Sequence, residues 1–440
     1  MKVSFISLGC AKNQVNTEQM MALCRQAGIE LREQPEHVDA VVINTCGFID
    51  SAKSEAISVI LSMAQLKEEG LLRKILVTGC LTQRYQQEIL DELPEVDGIM
   101  GTGSYGEIVP ALEELLRDKT VRRFGGINDP VEEYDRVLTT PPHYAYLRIA
   151  EGCNNHCAFC VIPSLRGKYR SRRMEDILRE ARGLAEQGVK ELLVIAQDIT
   201  RYGTDLYGRK MLATLLTELC KLDFHWIRLH YLYPDQIDDE LIDVMAREPK
   251  ILRYLDLPIQ HCNDQILRAM NRRDRKAELL TLFDKLRSRL PGLVLRTSLI
   301  TGLPYEDEAA FEELCDFLRE VRIERAGVFP YSPEEGTPAE KMLNRVDAAE
   351  AQRRAELVEE LQSRVMDDFN ESRMGDVVEV LCDSWDGQAM CYVGRSYAES
   401  PEIDGGIYFT SQTPVEIGSF VPVRITGVMD GDLTGEKMEE

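Results

Sequence analysis

Apolar positions in the first 120 residues fall into short β-branched runs, each followed by sequence that fits a helix. VSFISL precedes Cys10, AVVINT precedes Cys46 and KILVTG precedes Cys80; NTEQMMALCRQAG after the first has helical spacing. This pattern predicts a doubly wound α/β domain over residues 1–120. Six further strand-like runs follow from Thr139: YAYLRIA, ELLVIAQ, WIRLHYL, RYLDLPI, LVLRTSLIT and RAGVFPY. Helical patterns such as MEDILREARGLAEQG and KAELLTLFDKLRSRLPG lie between them, the second stopped by Pro-Gly. Six βα units predict a partial, open (β/α)6 TIM-like barrel over residues 139–370, with its chemistry at the C-terminal ends of the strands. Asp347 to Ser372 reads as one charged helix, apolar at Leu357, Leu361, Val365 and Phe369. Beyond Gly375, DVVEVLCD, QAMCYVG, GIYFT and FVPVRITGV alternate with Gly, Pro and Asp turns, which predicts a small antiparallel β-barrel over residues 373–440.

Composition narrows the class of protein. At 440 residues and 44% apolar content the chain exceeds one hydrophobic core. It holds no run of about 18 apolar residues, so no transmembrane helix and no membrane partner are expected. The opening MKVSFISLGC reads as a buried strand rather than a leader, which points to the cytoplasm. Twelve cysteines in such a chain favour metal or redox use over a disulfide framework. Cys24, Cys220, Cys262, Cys315, Cys382 and Cys391 sit in apolar or helical surroundings and read as small buried hydrophobes. A net charge of −23 argues against general nucleic-acid affinity and favours a basic partner. Residues 373–440 carry four basic side chains against thirteen acidic ones, a poor match to the phosphates of tRNA. Two basic stretches, Arg166 to Arg173 and Arg268 to Lys276, run against this trend. They read either as contacts to ribosomal RNA or as solvated faces whose charges pair with nearby acids or with a ligand carboxylate.

The remaining cysteines carry the chemistry. In EGCNNHCAFC, Cys153, Cys157 and Cys160 can present three thiolates to one inorganic centre from one loop. Iron–sulfur cubanes normally take four cysteines, so three imply an iron left open to a small molecule. A zinc site with His156 as fourth ligand is the rival, although zinc ligands commonly come as two pairs. Cys10, Cys46 and Cys80 are 36 and 34 residues apart, each after a strand, and so belong at the carboxyl edge of a doubly wound sheet, where such folds bind ligands. They predict a second cluster. The alternative to an enzyme is an iron–sulfur electron carrier, which requires fully ligated clusters.

The loop spacing, with Phe159 before its last cysteine, resembles the radical S-adenosylmethionine superfamily. Ile300-Thr301-Gly302 followed by Glu306 resembles a later strand motif of the same superfamily. The resemblance implies S-adenosylmethionine as methyl donor and radical source, with Phe159, Gln197, Ile300 and Gly302 near it. Taken end to end, the chain resembles the methylthiotransferases. That resemblance implies an N-terminal domain with an auxiliary 4Fe-4S cluster on Cys10, Cys46 and Cys80, and a second 4Fe-4S cluster on Cys153, Cys157 and Cys160. It also implies a C-terminal TRAM domain that binds substrate, and an electron donor such as flavodoxin or ferredoxin. SLGCAKNQVNTE, IPSLRGKYRSR, LDLPIQH and GTPAEKM resemble the branch that modifies an aspartate of small-subunit ribosomal protein twelve more than the tRNA-modifying branch, the runner-up. Gln260 and His261 become candidate substrate contacts. Asn16 and Cys262 depart from the family pattern, where Asp and a small residue are usual.

Overall fold

Runs such as VDAVVINT and LRKILVTG bury side chains on both faces, as interior parallel strands do. The computed structural model describes residues 1–439 and places these runs in a six-stranded parallel sheet. Its strands are β1 (Lys2–Ser7), β2 (Glu30–Arg32), β3 (Val38–Thr45), β4 (Leu72–Gly79), β5 (Gly98–Met100) and β6 (Val121–Arg123). The order β2-β1-β3-β4-β5-β6 reverses between β1 and β3, the switch point at which doubly wound sheets bind ligands. Helix α1 (Ala11–Gln26) packs on one face through Met20 and Cys24. Helix α2 (Asp50–Glu68) and the short α3 (Cys80–Tyr85) cover the other through Ile60, Met63 and Leu81. The sheet runs past residue 120, because Val121 pairs with Gly98. Strands β2, β5 and β6 have only three residues each, too few to register as a pattern.

The central sheet holds β7 (Tyr144–Arg148), β8 (Glu191–Ile195), β9 (Trp226–Leu229), β10 (Ile251–Asp256), β11 (Val294–Thr301) and β12 (Arg325–Pro330). They are parallel, in consecutive order, and do not close: an open partial barrel. A short helix, α4 (Ile162–Arg166), follows the cysteine loop after β7. The long helix α5 (Ala348–Ser372) starts at Asp347, whose carboxylate accepts from the Ala349 N–H. Its buried face includes Ala351, Ala355, Val358, Gln362 and Val365, with Leu361 and Phe369 half-buried beside it, so the expected stripe departs at Leu357. Leu357 is 41% exposed, because Arg354 and Gln362 take inward positions that a hydrophobicity count assigns to solvent.

Five strands close the C-terminal barrel: β13 (Val377–Asp386), β14 (Cys391–Arg395), β15 (Ile407–Thr410), β16 (Phe420–Met429) and β17 (Asp432–Lys437). It is not wholly antiparallel, since β15 and β17 run parallel. The fifth strand, DLTGEK, is too polar to stand out in the sequence. The segment following β14 plugs the bore of the central sheet. Ser396, Ala398, Glu399 and Ser400 are buried there; Arg395 reaches Glu191 at 2.6 Å, and Glu399 takes Arg325 at 3.0 Å and Arg373. One end of the bore is thereby filled, and the C-terminal edge of the sheet is left for chemistry. No helix among the described residues is long and apolar enough to cross a membrane.

Candidate functional site

The loop carrying Cys153, Cys157 and Cys160 is fixed by its own backbone. Cys153 N–H donates to the Gly167 carbonyl at 3.1 Å, Ala158 N–H to Met270 at 3.0 Å, and Cys160 N–H turns back to Cys157 at 3.0 Å. Phe159 and Ile300 pack together with Ala158, Ile266 and Met270, so both expected cofactor-side residues brace the loop. Each sulfur meets donors. Asn155 N–H lies 3.5 Å from Cys153 Sγ, Ile162 N–H 3.4 Å from Cys160 Sγ, and the Tyr233 hydroxyl and Arg272 lie 3.7 and 4.0 Å from Cys157 Sγ. Burial pushes the Cys153 thiol up to about 11, with Asp198 and Cys157 adding to it, so a thiolate there depends on a bound Lewis acid. Among the described residues no three Cys, His, Asp or Glu side chains converge closely enough for a single metal ion. A multi-iron cluster spreads its ligands more widely, and His156, the rival zinc ligand, is exposed.

Cys10, Cys46 and Cys80 follow β1, β3 and β4 at the switch point. Gly9, with φ of +87°, has no room for a side chain, since a Cβ would sit 2.6 Å from Cys46 Cβ; this close approach brings Cys10 and Cys46 together. Cys10 is exposed yet ringed by protein, and its carbonyl receives the N–H groups of Asn13 and Gln14 at the start of α1. Burial works against its thiolate, but the Lys12 and Arg166 cations and two backbone N–H groups outweigh it and lower the pKa. Burial and the neighbouring Cys80 push Cys46 up to about 11, and burial also raises Cys80 despite Arg166.

Helix α4 joins the two cysteine sets. It begins two residues after Cys160, packs Val161 and Leu165 against Cys80, and ends at Arg166. Arg166 Nε lies 3.4 Å from Cys80 Sγ, while its Nη1 donates to Asn16 at 2.9 Å and its Nη2 to Asn13. Glu151 anchors this wall, accepting from Arg148 at 2.9 Å and from Arg166 at 3.4 Å. Burial opposes its charge, but Arg166 and Arg148 hold its pKa below the ordinary value. Its other oxygen accepts from Gln197 Nε2 at 2.5 Å, and Gln197 Oε1 is buried without a partner, an acceptor free for a cofactor ammonium.

Other expected residues land elsewhere. His261 is fully buried: Nδ1 accepts the Asn263 N–H at 3.0 Å and Nε2 faces Glu306 at 3.3 Å, so it presents no surface to a substrate. Gly302, at a φ of +76°, has no room for a side chain, since a Cβ would lie 2.3 Å from Ala351 Cβ on α5. Gln260 is half-buried at a φ of +70°, its backbone pairing with Ser298 and Ile300 beside the sheet edge. The basic stretches do not simply form solvated faces. Arg166 and Arg172 from one and Arg272 from the other are buried and paired with Glu151, Glu133 and Asp274. Lys12, Tyr231 and Tyr233 carry no signal in the sequence that sets them apart. The Lys12 ammonium lies 3.3 Å from the centre of the Tyr231 ring.

An open parallel barrel with a three-cysteine loop after its first strand defines a radical S-adenosylmethionine enzyme, with S-adenosylmethionine and a 4Fe-4S cluster as its cofactors. The model of the Radical SAM superfamily matches residues 147–318, that of uncharacterized protein family UPF0004 residues 2–101, and that of the TRAM domain residues 374–438. The ribosomal protein uS12 methylthiotransferase RimO of Acetivibrio thermocellus is 44% identical over 100% of this chain and 99% of its own. The protein of that name from Lachnoclostridium phytofermentans is 46% identical over 99% of both chains. The chain belongs to the RimO family of methylthiotransferases. Among solved structures, the radical S-adenosylmethionine methyltransferase TsrM of Kitasatospora setae aligns with a TM-score of 0.58 at 12% identity, over 77% of this chain and 76% of its own. At that identity the likeness concerns the fold.

Proposed function

We propose that this methylthiotransferase holds two 4Fe-4S clusters and inserts a methylthio group at the β-carbon of an aspartate in small-subunit ribosomal protein twelve. Cys153, Cys157 and Cys160 hold the cluster at which S-adenosylmethionine binds, and Cys10, Cys46 and Cys80 hold the auxiliary one. When bound, these groups supply one-electron chemistry together with the sulfur and methyl of the product. The protein holds and orients them. Glu151 fixes Gln197, whose free Oε1 receives the ammonium of S-adenosylmethionine. Phe159 and Ile300 keep the loop from shifting, and Gln260 offers its amide at the rim of the sheet. The observation that supports the reading is α4, which leaves one cysteine set two residues after Cys160 and packs on Cys80 of the other.

The barrel favours a basic polypeptide. Two of its four basic residues, Arg373 and Arg395, turn inward, as do its acids Glu399 and Asp404, so its solvent face keeps the acidic excess of its composition. Acidic side chains such as Asp376, Glu379, Glu402 and Glu416 remain exposed, which suits a lysine- and arginine-rich ribosomal protein and repels tRNA. A cytoplasmic donor of the flavodoxin or ferredoxin class delivers the electrons. The test is to incubate the reconstituted enzyme with reductant, S-adenosylmethionine and either protein twelve or tRNA. A mass gain of one methylthio group on one aspartate is expected; modification of tRNA alone would overturn the assignment.

A further inference from the structure

Buried charge in this protein is almost always neutralised. Every arginine buried among the described residues has a carboxylate within ion-pair distance, as Arg148 and Arg166 have Glu151 and Arg272 has Asp274. Lys12 is the exception. It is 8% exposed, and among the described residues no carboxylate lies within ion-pair distance of its ammonium, whose neighbours are the Tyr231 ring, 3.3 Å away, and Cys10. A ring face replaces part of the water that a buried ammonium loses, but not its counter-charge. The position is equally particular. Lys12 stands in the first turn of α1, two residues beyond Cys10, while Tyr231 lies just past β9 at the C-terminal edge of the central sheet. The ammonium therefore sits where the N-terminal domain meets the reaction edge of the central one.

We propose that Lys12 binds the carboxylate of the aspartate being modified and makes the enzyme selective for an aspartate over a neutral side chain. The inference rests on the proposed aspartyl substrate. The reacting β-carbon is bonded directly to that carboxylate carbon, so a clamped carboxylate holds the β-carbon one bond from a fixed point. The substrate thus brings the carboxylate counter-charge that the buried arginines have and Lys12 lacks, and a neutral side chain would leave the ammonium with Tyr231 and Cys10 alone.

The test uses the full-length, reconstituted enzyme with protein twelve carrying either the target aspartate or asparagine in its place. Affinity is read by fluorescence anisotropy in wild type, Lys12→Met and Lys12→Arg. Wild type is expected to prefer the aspartate form by about thirtyfold. Lys12→Met should erase the preference, whereas Lys12→Arg should keep part of it. The proposal is overturned if Lys12→Met retains the preference or weakens both forms equally. It is also overturned if the substitution lowers only S-adenosylmethionine affinity or iron content, since the ammonium would then serve the cofactor or the cluster. A wild-type enzyme that leaves protein twelve unmodified overturns the aspartyl reading itself, an outcome that product mass alone distinguishes.

Discussion

Cys153, Cys157 and Cys160 lie on one loop, whereas Cys10, Cys46 and Cys80 come from the ends of three strands 36 and 34 residues apart. The loop is held by its own backbone, with hydrogen bonds to Gly167, Met270 and Cys157 setting its shape. The dispersed set is held by the register of a sheet and by a side chain from another domain, Arg166. The electrostatics differ as well. The cations Lys12 and Arg166 favour the Cys10 thiolate, while burial drives Cys46 and Cys80 beside it, and Cys153 and Cys160 in the loop, toward the neutral thiol. A locally built centre tolerates distant damage; one assembled by topology does not.

The largest effect that can break this comparison comes from the cysteines. Cys157→Ser should reduce S-adenosylmethionine cleavage to background. Cys46→Ser should leave 5′-deoxyadenosine formation intact and abolish the methylthio product. Chromatographic assay of both products separates the two outcomes, and loss of cleavage in both variants would mean that the centres are not independent.

Next in size is Arg166→Met, which strips Glu151, Asn13 and Asn16 of a buried cation. A destabilisation of about 3 kcal/mol is expected, together with iron loss confined to the N-terminal centre. Denaturant titration and iron analysis check it; equal iron loss from both centres would contradict the asymmetry.

The shared frame should fail in acid. Burial raises the Glu399 pKa, but Arg373, Arg325 and Ser396 outweigh it and bring the carboxyl from 4.5 down to about 2. A lowered acid pKa stabilises the fold above the unfolded value of 4.5, and that contribution, of order 3 kcal/mol, disappears as pH falls toward 2. Glu399→Gln should flatten this part of the stability profile between pH 5 and about 2. An unchanged acid limb would remove Glu399 from the account.

The smallest expected effect is at Asn16, whose Oδ1 accepts from Arg166. Asn16→Asp restores the family residue and converts a neutral acceptor into a charged one, worth about 1 kcal/mol. A small rise in Tm is expected, and a fall would mean that Glu151 already saturates Arg166.

The same contrast explains what could be read from the sequence. The six central strands and the cysteine loop were legible because long apolar runs and short-range spacing are local signals. The convergence of Cys10, Cys46 and Cys80 was legible only through the regular recurrence of strand and helix. Lys12 and Arg166 were not, since each acquires its role from a partner far away in sequence, Tyr231 or Cys80. His261 is expected at the substrate because LDLPIQH resembles a family motif, yet it is fully buried against Glu306, a partner 45 residues away that the motif does not announce. The stripe on α5 holds at Leu361, Val365 and Phe369 and fails at Leu357, and the inward Arg354 and Gln362 are buried by partners that no periodicity can announce.

The central claim is that two separate cysteine centres serve one reaction. Iron analysis of the reconstituted protein, before and after Cys10, Cys46 and Cys80 are all replaced by Ala, tests it most directly. About eight irons per chain should fall to about four, with 5′-deoxyadenosine formation retained and methylthiolation lost. An iron content of about four in both proteins would contradict the account.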